Sequence, residues 1–149
     1  YQKVNDLEKT NYYLDKALAV NPLAKTTFYN KGLYHFQKKE WEMAIFYLEH
    51  LSSENLPGIN QNTVVRMRLA YSLAMMGKSA MAGNNFESAL NYLERSLKTE
   101  PSAENLTYLG ICYFNLGKKA EAQTQVLKAL NMQPEYAPAK AALKMMEDK

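Results

Sequence analysis

Gly77-Lys78-Ser79 ends as a phosphate-binding loop ends, a setting in which the lysine meets phosphate oxygens and the serine a magnesium ion. That loop also needs an earlier glycine, where Ser72 stands, and a strand before it that the surrounding residues do not supply. His35 and His50 carry imidazoles that could bind zinc, but no cysteine or acidic cluster lies near either at ligand spacing. His35 reads as a packing residue and His50 as a solvent-facing one. Cys112 is the single cysteine, so an internal disulfide and a multi-cysteine metal site are both excluded, and its neighbours Ile111 and Tyr113 mark it as a buried thiol. Asn105-Leu106-Thr107 has the form of a glycosylation acceptor, yet it falls at a helix start, where Asn105 is expected to cap the helix or face solvent. No serine, cysteine or histidine stands in a recognisable nucleophile context. The expectation is a chain with no catalytic residue, no metal and no cofactor.

The composition says which elements must position whatever the chain does. It has 149 residues, 47% hydrophobic and 22% charged, enough to bury a core and too apolar for disorder. Six glycines and five prolines, with no Val-Ile-Thr alternation, provide too few turns and strands for an all-β domain, so the pattern predicts an all-α one. The net charge of +3 comes from lysines scattered among glutamates. Without a basic block there is no phosphate-binding stripe, and nucleic acid is not an expected partner. No apolar run approaches the roughly 20 residues that span a bilayer, so membrane insertion is not expected. No start methionine, basic leader and apolar segment opens the chain, but Tyr1 need not be the native start, which leaves the compartment open.

Leu106 to Gly117 is apolar nearly all round a helical wheel, as a helix buried on several sides must be. Gly117-Lys118 breaks it, Ala120 to Leu130 reads as an amphipathic helix, and Pro134 stops that second helix. The pair makes one antiparallel hairpin, and the unit recurs. Around Gly32, Phe28 and His35 lie on a first helix, while Trp41, Ala44 and Leu48 open a second with Pro57 beyond its end. Phe86, Ala89, Leu93 and Pro101 repeat the second-helix pattern, as do Leu7, Thr10, Leu14, Ala17 and Pro22. Thr10, Ala44, Ala89 and Ala122 are spaced by 34, 45 and 33 residues, a repeat period with one long member.

Leu106-x-x-Leu109-Gly110-x-x-Tyr113, followed by Ala122, Val126, Ala129 and Pro134, resembles the tetratricopeptide repeat signature. The likeness is specific in that last repeat, fair in the repeat ending at Pro57, where Leu51 replaces a usual alanine, and loose in the first helix of the middle one. It implies an all-α fold, a right-handed superhelical solenoid of antiparallel helix hairpins with a C-terminal capping helix. The expected organisation is one domain over 1–149: a partial repeat at 1–22, repeats at 25–57, 62–101 and 103–134, and a capping helix at 137–148. Gly110 and Ala122 are the small residues that let paired helix axes approach. Ala139, Leu143 and Met146 form the buried face of the capping helix, with Lys140, Lys144 and Glu147 turned away.

In this alignment Tyr1 to Val4 occupies the end of a first helix, so the chain is read as starting inside a repeat of a longer protein. Leu7 and Leu14 then lack cover, and self-association or fraying is expected at that open end. The long repeat has eleven extra residues, read as about four in the connection over 52–62 and seven over 78–84. Either a loop follows Gly77 or the helix continues two turns to Ala82. The second is favoured, because seven residues nearly preserve the helical face and Gly83-Asn84-Asn85 is the stronger stop.

The resemblance also implies where a partner protein or peptide binds, because first helices of such hairpins line an inner, concave face. That selects Tyr29, Asn30, Leu33 and Phe36, then Met67, Arg68, Tyr71 and Met75, then Tyr108, Ile111, Phe114 and Asn115. Tyr29, Tyr71 and Phe114 would run in a line along an aromatic, methionine-rich groove suited to an amphipathic helix or apolar segment. Asn30 and Asn115 could bond a ligand backbone and Arg68 a carboxylate. Chaperone-binding members of the family grip a C-terminal carboxylate with lysines and asparagines, and Tyr29 and Leu33 stand where two such residues would be expected, so that clamp is not. The resulting reading is a non-enzymatic interaction scaffold. Its alternative is a regulatory or structural arm of an enzyme whose catalytic domain lies outside this chain.

Overall fold

The computed structural model describes residues 2–22, 24–52 and 59–148, with side chains from 6–22, 24–51 and 63–148. The described residues form helices α1 (Gln2–Val20), α2 (Lys25–Gln37), α3 (Trp41–Ser52), α4 (Ile59–Ala82), α5 (Phe86–Thr99), α6 (Ala103–Asn115), α7 (Lys119–Met132) and α8 (Ala137–Glu147), and no strand. Packing divides the chain, read from sequence as one domain, into two compact units, residues 1–72 and 73–149. In the first, α2 packs on α1 and α3; in the second, α6 packs on α5, α7 and α8, and α7 also packs on α8.

One backbone device, used three times, sets the hairpin register. Lys39, Asn84 and Gly117 have φ of 60°, 58° and 75°. Their amides donate to the carbonyls of Phe36, Met81 and Phe114, and the next residue's amide reaches one carbonyl further back, at His35, Ala80 and Tyr113. Each turn therefore closes its first helix through the same pair of bonds. Each lies seven residues after a glycine, namely Gly32, Gly77 and Gly110.

Those glycines are the crossing points of the hairpins. A Cβ built on Gly32 would lie 2.6 Å from Leu48 Cδ2, one on Gly77 2.8 Å from Leu93 Cγ, and one on Gly110 2.6 Å from Val126 Cγ2. Leu48, Leu93 and Val126 each stand sixteen positions after their glycine and are fully buried. The core of the second unit grows from these contacts: Ala89, Leu93, Leu109 and Cys112 form one cluster, while Ala122, Val126, Ala129, Ala139 and Met146 belong to another.

Gly77 is thus the middle repeat's packing glycine, and α4 continues through residues 78–82 before Gly83 and Asn84 turn the chain. Asn85 then caps α5 by accepting from the Ser88 amide. At the start of the chain, residues 2–4 belong to the same helix as the residues that follow, and do not end a preceding first helix. No glycine or proline falls between Gln2 and Val20, so nothing breaks the helix there. The connection around Pro57 lies outside the described residues.

Candidate peptide-binding site

The residues that could have done chemistry are occupied in packing. Gly77-Lys78-Ser79 is helical, and Lys78 Nζ donates to Glu104 Oε1 at 2.6 Å while lying 4.8 Å from the centre of the Tyr108 ring. His35 is buried, with Nδ1 at 2.6 Å from Glu40 Oε2 and its ring stacked on Tyr47. His50 is exposed but stacks on Phe28, with ring centres 4.5 Å apart. Cys112 is fully buried, and burial pushes its thiol up to about 11, which keeps it protonated and a poor nucleophile at neutral pH. Asn105 corrects the sequence reading. It is buried and neither caps a helix nor faces solvent: its Nδ2 donates to Ser96 Oγ at 3.0 Å, tying α6 to α5. The cap is Ser102, whose Oγ accepts from the Asn105 amide. Ser96 takes the position held by Leu51 and Ala129 in the other hairpins, and its hydroxyl accepts from the Asn105 side-chain amide.

In the first unit, α2, the first residue of α3 and the first half of α4 position an aromatic triangle. Phe36, Trp41 and Tyr71 have ring centres 5.6 to 5.7 Å apart. Arg68 lays its guanidinium 4.9 Å from the centre of the Phe36 ring, a cation–π placement. Phe36, Val64, Met67, Arg68 and Tyr71 line a surface cavity of about 300 Å³. Met67 is 57% exposed and Tyr71 51%, although both are large and apolar in body. Tyr29 and Leu33 are half-buried and Asn30 is exposed on the same helix as Phe36.

In the second unit, Ile111, Phe114 and Asn115 of α6 meet Pro138, Ala141, Ala142 and Met145 of α8 around a cavity of about 450 Å³. Asn115 Nδ2 donates to the Ile111 carbonyl at 2.8 Å. Tyr108 and Met75 are half-buried. Beside them Lys78, Glu104 and Tyr108 make a polar lip with Tyr136, whose phenol is raised above its ordinary range by burial first and then by the Glu104 charge.

None of the twelve residues selected from sequence is buried. The structure brings Phe36, Met67, Arg68 and Tyr71 together in one cavity wall and Ile111, Phe114 and Asn115 in another. Met67, Arg68 and Tyr71 stand one heptad earlier in α4 than the register of Gly77 would place them. In that register Met75 matches Asn30 and Tyr108, and Lys78 matches Leu33 and Ile111. Sequence reasoning missed Lys78, which the glycine spacing could have found. It also missed Val64, Pro138 and Met145, which line the cavities by tertiary packing, and Trp41, whose ring packs on Phe36 and Tyr71; none of these carries a signal of its own.

Residues 74–138 match the family described as tetratricopeptide repeat. Among solved structures, that of MamA superposes with a TM-score of 0.57 at 16% identity, covering 99% of this chain and 80% of its own. YrrB, described as a TPR protein with an unusual peptide-binding site, superposes with a TM-score of 0.57 at 23% identity, covering 97% of this chain and 70% of its own. The first TPR of Spaghetti (RPAP3), solved bound to the HSP90 peptide SRMEEVD, has a TM-score of 0.50 at 17% identity, covering 83% of this chain and 90% of its own. At these identities the likeness is one of fold. No curated protein matches the chain.

Proposed function

Residues 74–138 match the tetratricopeptide repeat family and the chain shares the fold of solved members, and from that premise we propose that it is a non-catalytic scaffold that grips apolar side chains of a partner peptide or helix. The observation that carries this reading is the open aromatic cavity of the first unit. Large apolar groups left this exposed cost solvation free energy unless something covers them. Phe36 and Trp41 buttress Tyr71, so the cavity is held open by packed rings and a ligand meets a preformed wall. Arg68 at its rim suits a carboxylate on the ligand. The second unit repeats the arrangement with Phe114, Ile111 and Met145, where Asn115 adds an amide. YrrB and the Spaghetti repeat, two proteins of this fold, are described with a peptide-binding site and a bound peptide, respectively, which supports the same use here.

The test is to pan a phage-displayed library of helical peptides against the purified chain and titrate the selected peptides. Changing Tyr29, Tyr71 and Phe114 together to alanine is expected to weaken binding at least about thirtyfold, the effect of losing a single desolvated aromatic hot spot or more. Lys128→Ala, which removes an exposed charge on α7, should leave affinity unchanged. A triple variant that melts cooperatively near wild type and binds equally well overturns the reading. One that unfolds assigns these rings to the core instead.

A further inference from the structure

We propose that the added turns of α4 make the Phe36–Tyr71 cavity a site for an extended acidic segment of a separate partner protein. One large apolar side chain of that segment fills the cavity, and a neighbouring carboxylate meets Arg68. This rests on the peptide reading above and narrows it to one site and one ligand charge. α2 and α6 each begin seven residues before their packing glycine, Gly32 and Gly110, whereas α4 begins eighteen before Gly77. All three end five residues past it. The eleven additional residues, 59–69, therefore form helix ahead of the repeat's own first helix. Val64, Met67 and Arg68 belong to them, and α2 and α6 hold no counterpart. Tyr71, just beyond, stands where α2 has Thr26 and α6 has Glu104. The cavity is thus a product of the long repeat's extra turns and not of the repeat itself.

Val65 and Leu69 are buried, which packs the added turns down on one side and leaves Met67 and Tyr71 facing out. A docked helix needs a row of pockets for its i, i+3, i+4 and i+7 anchors, whereas a single cavity of about 300 Å³ serves one anchor. The occupant is therefore a short extended segment with one large apolar residue. Its charge follows from Arg68, which is half-buried with its guanidinium against the Phe36 ring. No carboxylate among the described residues meets it. A ligand carboxylate there gains a charge-assisted bond without displacing one already made. The surroundings have the same sign. Residues 59–69 contain two arginines and no acidic residue. Lys38 and Lys39 lie on the turn that joins Phe36 to Trp41, and the carboxylate beside them, Glu40, is engaged with His35. Glu42 in the first turn of α3 opposes these cations, and the balance stays positive.

The probe is a short labelled peptide with one phenylalanine between pairs of glutamates, titrated into the full chain and followed by anisotropy. It is compared with the same peptide carrying lysines for the glutamates, and with one carrying alanine for the phenylalanine. The first is expected to bind at least about tenfold tighter than either of the others, and to weaken as salt rises. Arg68→Gln should erase the charge preference, while Arg68→Lys, which keeps the charge, should retain most of it. Tyr71→Thr, which installs the residue of α2 at this position, should weaken binding at least about tenfold. Exchanging the peptide's charge on the unchanged chain needs no variant to fold. Equal, Tyr71-dependent binding of the glutamate and lysine peptides overturns the proposal and leaves the apolar reading standing. No binding of any of the three also overturns it, and the selected helical peptides then decide the broader reading separately. Binding lost with Phe114→Ala but not with Tyr71→Thr overturns it by moving the site to the second unit. So does a Tyr71-dependent dimer of the chain alone in sedimentation, which gives the wall to a second copy.

Discussion

Gly110 and Lys39 show opposite sides of one constraint. At Gly110 a side chain has no room, with the Ala122 carbonyl 3.0 Å and Val126 Cγ2 2.6 Å from where a Cβ would stand. Gly110→Leu should therefore cost at least the roughly 1–3 kcal/mol of an overpacked core, while the better helix propensity of leucine returns under about 1 kcal/mol. At Lys39 the room is ample but φ is 60°, a left-handed conformation that charges an L side chain about 1–2 kcal/mol. Lys39→Gly should stabilise the chain by up to about 1 kcal/mol. Urea titrations of both variants check the pair, and a stable Gly110→Leu would show that α6 and α7 do not cross there. The small residues were legible in the sequence because a close helix crossing tolerates almost nothing else. The side-chain bond from Asn105 to Ser96 was not, since a buried amide and an exposed one look alike until both partners are placed.

At the scale of elements, α5 and α6 are joined by that bond as well as by apolar packing. Ser96→Ala leaves the buried Asn105 amide without this acceptor, and stability should fall by about 1–3 kcal/mol. Thr124→Ala removes an exposed hydroxyl that bonds its own helix at the Ala120 carbonyl, and should change little. Thermal melts of the two variants separate an inter-helix tie from a local one. The end of α4 at Ala82 follows the favoured sequence reading for a physical reason, since Ala80 and Met81 favour helix whereas Gly83 and Asn84 can turn, but its start at Ile59 lies within the stretch over 52–62 that was read as connection. The single helix from Gln2 to Val20 was missed, because aligning to a repeat imposed a boundary where the residues themselves provide no breaker.

For the whole molecule, repeat proteins draw stability from each helix's neighbours, so protection should follow cover. Residues 7–17 of α1, with their seam exposed, are expected to exchange amide protons fastest among the helices. The amides of α6 and α7, which surround Leu109, Cys112, Val126 and Ala129, should exchange slowest. Uniform protection along the chain, measured by exchange and mass spectrometry, would contradict this. The sequence alone determined the all-α class, the hairpin unit and its repeat, because small residues, helix stops and apolar faces recur at spacings that only paired helices satisfy. It also selected first-helix residues that all prove at least partly exposed. Only the tertiary structure decided which of them share a wall, bringing Phe36 to Trp41 and Tyr71 and Phe114 to Met145. Periodicity reports which face of a helix is apolar, whereas a cavity depends on the helix set beside it, and that neighbour is chosen by packing.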